Sequence, residues 1–162
     1  MIIPKKEFLA KYFIDETEFD NAGIDWKEME AIYYDFIPRI GEYERVAVFV
    51  AECLRSARNV HSVKYRVKDP EHLIEKIIRK KMKKPEKNIN FSNYRDKITD
   101  LIGVRVLHLF KEEWVDIHNY INTRWQLAIP NPKANIRAGD HKELIKKKKK
   151  MGCEIVIHPF GY

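Results

Sequence analysis

Apolar residues follow two different rhythms along this chain, and the change between them comes near residue 58. Before it the spacing is helical. Residues 4–13 predict a short helix. A second pattern runs from Asp25 through Trp26, Met29, Ile32, Tyr33 and Phe36, with Asp25 placed to cap it and Pro38 and Gly41 placed to end it. Residues 42–56 are apolar enough to predict a third, buried helix. Residues 1–58 therefore predict an all-helical lead-in packed on a second domain, residues 59–162. Beyond the change, residues 60–67 are β-branched and alternate, the mark of a strand. Asp69-Pro70-Glu71 is a helix start: a capping acid, a proline at the first position and an acid in the first turn. Leu73, Ile74, Ile77, Ile78 and Met82 give that helix its buried face to about residue 84, and residues 83–90 form a polar loop. Residues 98–110 predict a long strand. Residues 112–125 predict an amphipathic helix with Trp114, Ile117, Tyr120 and Ile121 inward. After a loop at Pro130 and Pro132 come a short strand at 134–137, a helix at 140–151 capped by Asp140, and a last strand at 153–157. Strands alternating with helices predict an α/β or α+β sheet covered by helices.

Composition narrows the class. The 162 residues are 44% hydrophobic and 34% charged, which suits a globular chain and not a disordered one. The longest apolar run, residues 46–54, is interrupted by Glu52 and is far shorter than the roughly 18 residues a membrane span needs. The opening MIIPKKEF has no apolar segment after its lysines, so no signal peptide is expected. Cys53 and Cys153 lack CxxC spacing, so a reducing cytoplasm and no structural zinc are expected. The net charge of +7 is unevenly spread. Residues 1–45 hold 6 basic and 11 acidic residues (net −5), leaving 25 basic and 13 acidic (net +12) for the rest. Such a basic domain suits a nucleotide, a nucleic acid or an acidic membrane surface, although a lysine-rich solvated surface would give the same count.

Two segments concentrate the chemistry. Arg66 and Lys68 are two apart on the predicted strand and so share a face. His72 and Lys76 follow one turn apart on the polar face of the next helix, with Arg79, Lys80 and Lys83 on or near the same stripe. Free N–H groups and the positive dipole end at the helix start would add to the attraction for phosphate. The second segment is Thr99-Asp100-Leu101-Ile102-Gly103-Val104-Arg105-Val106. Asp100 in this apolar run needs a partner or a metal. Strict alternation would put Asp100 and Arg105 on opposite faces, so either Asp100 precedes the regular strand or Gly103 hosts a bulge. An Asp100–Arg105 ion pair is the plain structural alternative.

Arg66-Val-Lys68-Asp-Pro-Glu-His72-Leu-Ile-Glu-Lys76, then Ile98-Thr-Asp100-Leu-Ile-Gly-Val-Arg105-Val, and finally His158-Pro-Phe160-Gly161-Tyr162 closely resemble the signatures of the RelA/SpoT-type (p)ppGpp synthetase domain. These read approximately R-x-K-x-x-x-S-x-x-x-K, D-[IL]-x-[GA]-[IVL]-R and H-P-S-G-Y-R-S-x-H. Residues 134–140 and the helix after them also look like the connection in small alarmone synthetases, and the resemblance covers about residues 45–162. It implies an α+β, nucleotidyltransferase-like mixed sheet flanked by helices. It also implies Mg²⁺-dependent transfer of the β,γ-pyrophosphate of ATP to the ribose 3′-hydroxyl of GDP or GTP. Carried across, it gives Arg66 and Arg105 the adenine, Lys68 and Lys76 the triphosphate, Asp100 the Mg²⁺ and catalysis, and Tyr162 the acceptor guanine. His72 joins the ATP-binding set where the family often has Ser.

The departures are specific. Phe160 replaces the usual Ser or Asn, and the given sequence stops at Tyr162, before the R-S-x-H continuation and the second metal-binding glutamate. An incomplete synthetase domain is therefore expected, with the activity of these 162 residues in question. Two alternatives stay open: a toxin-type synthetase that pyrophosphorylates the 3′ end of tRNA, and a non-catalytic nucleotide- or RNA-binding module of the same fold. The resemblance is also compatible with a homo-oligomer. The run Lys146–Lys150 is either a solvated face or a surface for RNA, acidic lipid or a regulatory nucleotide. His108 and His158 have no partner at metal-ligand spacing and read as structural, and there is no P-loop, GxGxxG or HExxH.

Overall fold

A computed structural model of the chain describes residues 2–128 and 131–159, apart from the side chain of Lys87. It divides into two compact units, Met1–Ile117 and His118–Tyr162. The first opens with α1 (Lys5–Lys11), α2 (Glu16–Asn21), α3 (Trp26–Phe36) and α4 (Ile40–Arg55). Asp25 caps α3 through the Lys27 N–H as expected. The second helix, α2, was not expected. It starts where Asp15 accepts from the Glu18 N–H, a D-x-x-E spacing that does carry a start signal. Pro38 and Gly41 do not open a gap after α3. Residues Ile37–Arg39 make a single 3-10 turn leading into α4, and Gly41 lies in that helix's first turn. A proline at a helix start loses no hydrogen bond, which is why the chain continues.

The core of this unit joins α1, α2 and α3 to α5 (Pro70–Lys83). Phe8, Phe19, Met29, Ile32 and Phe36 meet Leu73, Ile74, Ile77 and Ile78, all essentially inaccessible to solvent, while Met82 is only partly buried. Tyr94 and Ile98 close the same core from α6 (Tyr94–Lys97), a single helical turn. Asp35 ties the layers together: it accepts from the Tyr94 hydroxyl at 2.6 Å and from both sides of the Arg39 guanidinium at 3.1 and 3.2 Å. Those hydrogen bonds hold its carboxyl below the usual carboxylate range against burial, and burial pushes the Tyr94 phenol up.

Strands β1 (Ser62–Val67) and β2 (Ile102–Leu107) form an antiparallel ladder in unbroken register, from Ser62 opposite Leu107 to Val67 opposite Ile102. The pleat sorts the side chains cleanly. Val63, Tyr65, Val67, Ile102, Val104 and Val106 take one face, while Lys64, Arg66, Gly103 and Arg105 take the other. Helix α4 packs on this ladder, burying Ala47, Ala51 and Leu54, with Val63 buried on the strand. The prediction of a buried helix at 42–56 is corrected here: Val46, Val48 and Phe49 are 45%, 36% and 63% exposed, so α4 is covered on one side only. The long strand at 98–110 is likewise shortened to six residues, because Ile98 caps α6 and Thr99–Asp100 turn before the ladder begins.

Helix α7 (Trp114–Arg124) straddles the boundary of the units, with Ile117 buried and Trp114, Tyr120 and Ile121 half-buried. In the second unit β3 (Lys133–Arg137) and β4 (Glu154–His158) pair in parallel through the crossover helix α8 (Lys142–Lys150). The cap of α8 is His141, whose ring accepts from the Glu143 N–H, rather than Asp140. Asp140 instead accepts from the Arg137 N–H. The chain is thus α+β, with the strands among the described residues in one antiparallel and one parallel pair. No helix among the described residues is long and apolar enough to cross a membrane.

Candidate nucleotide site

Strand β1 delivers Lys68 straight to the start of α5, and the chain between them is pinned by the Lys68 N–H donating to the Leu101 carbonyl at 2.8 Å. That bond brings the turn carrying Asp100 beside the strand–helix junction. The Asp100 Oδ2 accepts from Lys76 Nζ at 2.6 Å and from Lys68 Nζ at 3.1 Å. One carboxylate oxygen thus gathers two ammonium groups from two elements. Burial alone would push this carboxyl up, yet the hydrogen bonds and charges of Lys76 and Lys68 hold it below its usual range. The other oxygen, Oδ1, is shielded from solvent and has no hydrogen-bond partner.

Both sequence alternatives for this carboxylate are now resolved. Asp100 precedes the strand, the register through Gly103 has no bulge, and its partners are Lys68 and Lys76 rather than Arg105. Gly103 faces Arg66 across the ladder. A Cβ there would stand 3.4 Å from Arg66 Nε and 3.5 Å from its Cγ, at the near edge of ordinary van der Waals contact, so the Arg66 stem lies close over β2 at this glycine. Arg105, opposite Lys64, lies on the same face.

The expected cradle of free N–H groups at the start of α5 is absent. Asp69 Oδ1 accepts from the Glu71 and His72 N–H groups at 2.9 and 3.0 Å, its carbonyl accepts from Leu73, and Pro70 has none. Attraction for an anion therefore comes from side chains. A cavity of about 660 Å³ runs along them from Arg66 and Lys68 past His72, Lys76 and Arg79 to Lys83 and Lys84. A second of about 410 Å³ opens on the strand face at Lys64, Arg66 and Arg105. Arg66 lines both. His72 sits at the rim, its Nδ1 3.3 Å from Glu75 Oε2 and its ring edge-on to Tyr12 at 5.5 Å. Tyr162 and Phe160 lie outside the described residues.

Sequence reasoning missed what holds α5 in place. Glu71 accepts from Tyr12 at 2.9 Å and from Lys11, and Arg79 donates to the Tyr12 carbonyl at 2.7 Å while bridging to Glu75 at 2.7 Å. The hydrogen bond from Lys11 outweighs burial and, with that from Tyr12, keeps the Glu71 carboxyl low. Apart from the Arg79–Glu75 pair, four residues apart, these contacts join residues 59 to 67 positions apart, so no local pattern could announce them.

As to metal, Lys68 and Lys76 pair with the Asp100 carboxylate, and the described residues include no group of three or more His, Cys, Asp or Glu fit to hold an ion. The uncommitted Oδ1 does fit one coordination position of a Mg²⁺ that arrives with nucleotide phosphates, since Mg²⁺ is commonly held by one or two carboxylates plus substrate oxygens.

The described features find their match in one comparison. The model of the RelA/SpoT family, described as a region found in RelA / SpoT proteins, matches residues 65–158. No curated protein and no solved structure matches the chain. The matched stretch takes in Arg66, Lys68, His72, Lys76, Asp100 and Arg105 and covers more than half of the sequence, so the chain belongs to the RelA/SpoT family of pyrophosphokinase transferases.

Proposed function

We propose that the chain carries the donor half of a (p)ppGpp synthetase site, transferring pyrophosphate from ATP to the ribose 3′-hydroxyl of GDP or GTP. The observation that carries this reading is the Lys68–Asp100–Lys76 cluster, whose two lysines line a basic cavity, next to a strand face bearing Arg66 and Arg105. In this reading the guanidinium planes of Arg66 and Arg105 hold the adenine, since flat cations stack on a base. Lys68 and Lys76 turn from Asp100 to the triphosphate, and His72 lies at the phosphate rim. Tyr162 is assigned to the acceptor guanine on sequence resemblance alone.

The reaction joins the acceptor 3′-oxygen to the β-phosphorus and breaks the bond from that phosphorus to the oxygen bridging it to the α-phosphate. AMP leaves with the bridging electron pair, and the hydroxyl proton is lost. Negative charge grows on the bridging oxygen in the transition state, where two preplaced ammonium groups lower the barrier. Bound through Asp100, Mg²⁺ would add charge neutralisation on the phosphate oxygens. Until the donor arrives, Asp100 keeps Lys68 and Lys76 from repelling each other.

The test offers the complete protein ATP and Mg²⁺ with GDP, GTP or bulk tRNA as acceptor. AMP together with a 3′-pyrophosphorylated guanosine nucleotide is the expected result. Label moving from ATP to tRNA instead would assign the tRNA acceptor, and binding of ATP without AMP from any acceptor would assign a non-catalytic nucleotide-binding module.

A further inference from the structure

Lys64 is a cation without an evident structural reason. It stands directly opposite Arg105 in the β1–β2 ladder and two residues from Arg66 on the same face. Like charges directly opposite on a sheet destabilise it, and no acid among the described residues pairs with Lys64, Arg66 or Arg105. By contrast, Lys68, one residue past the strand, pairs with Asp100. Three uncompensated cations thus line one cavity of about 410 Å³, whose remaining lining is Tyr65, Gly103 and Val104. An electron-rich occupant would relieve that repulsion, and neither Lys68 nor Lys76, the ammonium pair assigned to the phosphates, lines this cavity.

We infer that Lys64 donates a hydrogen bond to a ring acceptor on the edge of the donor base, and so helps select the base rather than the phosphates. This rests on the donor-site reading above, in which Arg66 and Arg105 flank that base. The chemistry follows from the group: an ammonium has three donors and no acceptor, so it pairs with ring nitrogens or a carbonyl oxygen and not with an exocyclic amine. The phosphates lie at the other end of the row, with Lys68 and Lys76. An effect of Lys64 should therefore depend on the presence of a base.

The experiment compares ATP with inorganic tripolyphosphate as ligands of the whole chain, by calorimetric titration. For Lys64→Met, which keeps the apolar stem, the expected result is about tenfold weaker binding of ATP and unchanged binding of tripolyphosphate, a loss in the range of one hydrogen bond to a charged donor. Lys64→Arg should restore most of the ATP affinity, and the thermal midpoint of both variants should match the parent or exceed it. Equal weakening of both ligands would show a general charge effect and overturn the inference. Unchanged ATP binding would overturn it as well. If the parent chain binds tripolyphosphate but gains nothing from the adenosine moiety, the donor-site reading fails with it, and that outcome differs from a failure of Lys64 alone.

Discussion

Replacing Asp100 by Asn removes one charge and almost no volume, so it isolates what the carboxylate does. Asp100 is about one-third exposed on its side chain, Lys76 similarly, and Lys68 only 14%. Fully exposed pairs contribute roughly 0.2–1 kcal/mol, and breaking a fully buried pair costs about 3–5 kcal/mol. With two contacts at 2.6 and 3.1 Å and solvent screening at the exposed edge, a loss of about 1–3 kcal/mol follows. In a chain of this size that lowers the thermal midpoint by roughly 2–10 °C. Its pH dependence has a definite sign. The folded carboxyl titrates below its ordinary 3.8, so the stabilisation is present above that value and disappears as the pH falls through the folded pKa. The midpoints of parent and variant should therefore differ by a constant amount above about pH 5 and converge below about pH 4. ATP or tripolyphosphate should narrow the gap at neutral pH, because an anion then separates the two ammonium groups. Turnover should be lost although Mg²⁺-free ATP binding is retained or tightened. Equal midpoints at every pH, or a variant that turns over normally, would refute the clamp as described.

Three further outcomes follow from single contacts. Asp69→Ala removes the oxygen that accepts from Glu71 and His72, so thermal unfolding should show a loss of about 1 kcal/mol. Gly103→Ala puts a methyl 3.4 Å from Arg66 Nε. Stability should stay level or rise, since glycine in a strand costs about 0.5–1 kcal/mol relative to alanine, and ATP binding should be retained in a titration, because the methyl meets the Arg66 stem at ordinary contact distance. Ile77→Ala empties a fully buried site between α5 and the N-terminal helices, and denaturant unfolding should register a loss of about 2–5 kcal/mol.

The site was legible where its logic is local. Asp69-Pro70 marks a helix start by itself, and the Leu73, Ile74, Ile77, Ile78 spacing fixes which face of α5 turns outward with Lys76. Arg66 and Arg105 could be placed on sheet faces from alternation as soon as the register was known. The rest depended on the fold. The Asp100 partners sit 24 and 32 residues away and belong to two elements, and the Lys11–Glu71 and Arg79–Tyr12 contacts join the first helix to the fifth. Helix α4 misled for a related reason: Val46, Val48 and Phe49 are as apolar as core residues, and only packing reveals which of them remain uncovered. The cap of α8 shows a competition between neighbours. Asp140 is taken by the Arg137 N–H, which leaves the helix start to His141.

The most direct measurement follows the β-phosphate. With ATP labelled at that position, Mg²⁺ and GDP, pyrophosphate transfer moves the label into the guanosine product and leaves unlabelled AMP in equal amount. Label retained in ADP would mean that the bond between the β- and γ-phosphates is the one broken, and the assignment of Lys68, Lys76 and Asp100 to pyrophosphate transfer would be contradicted.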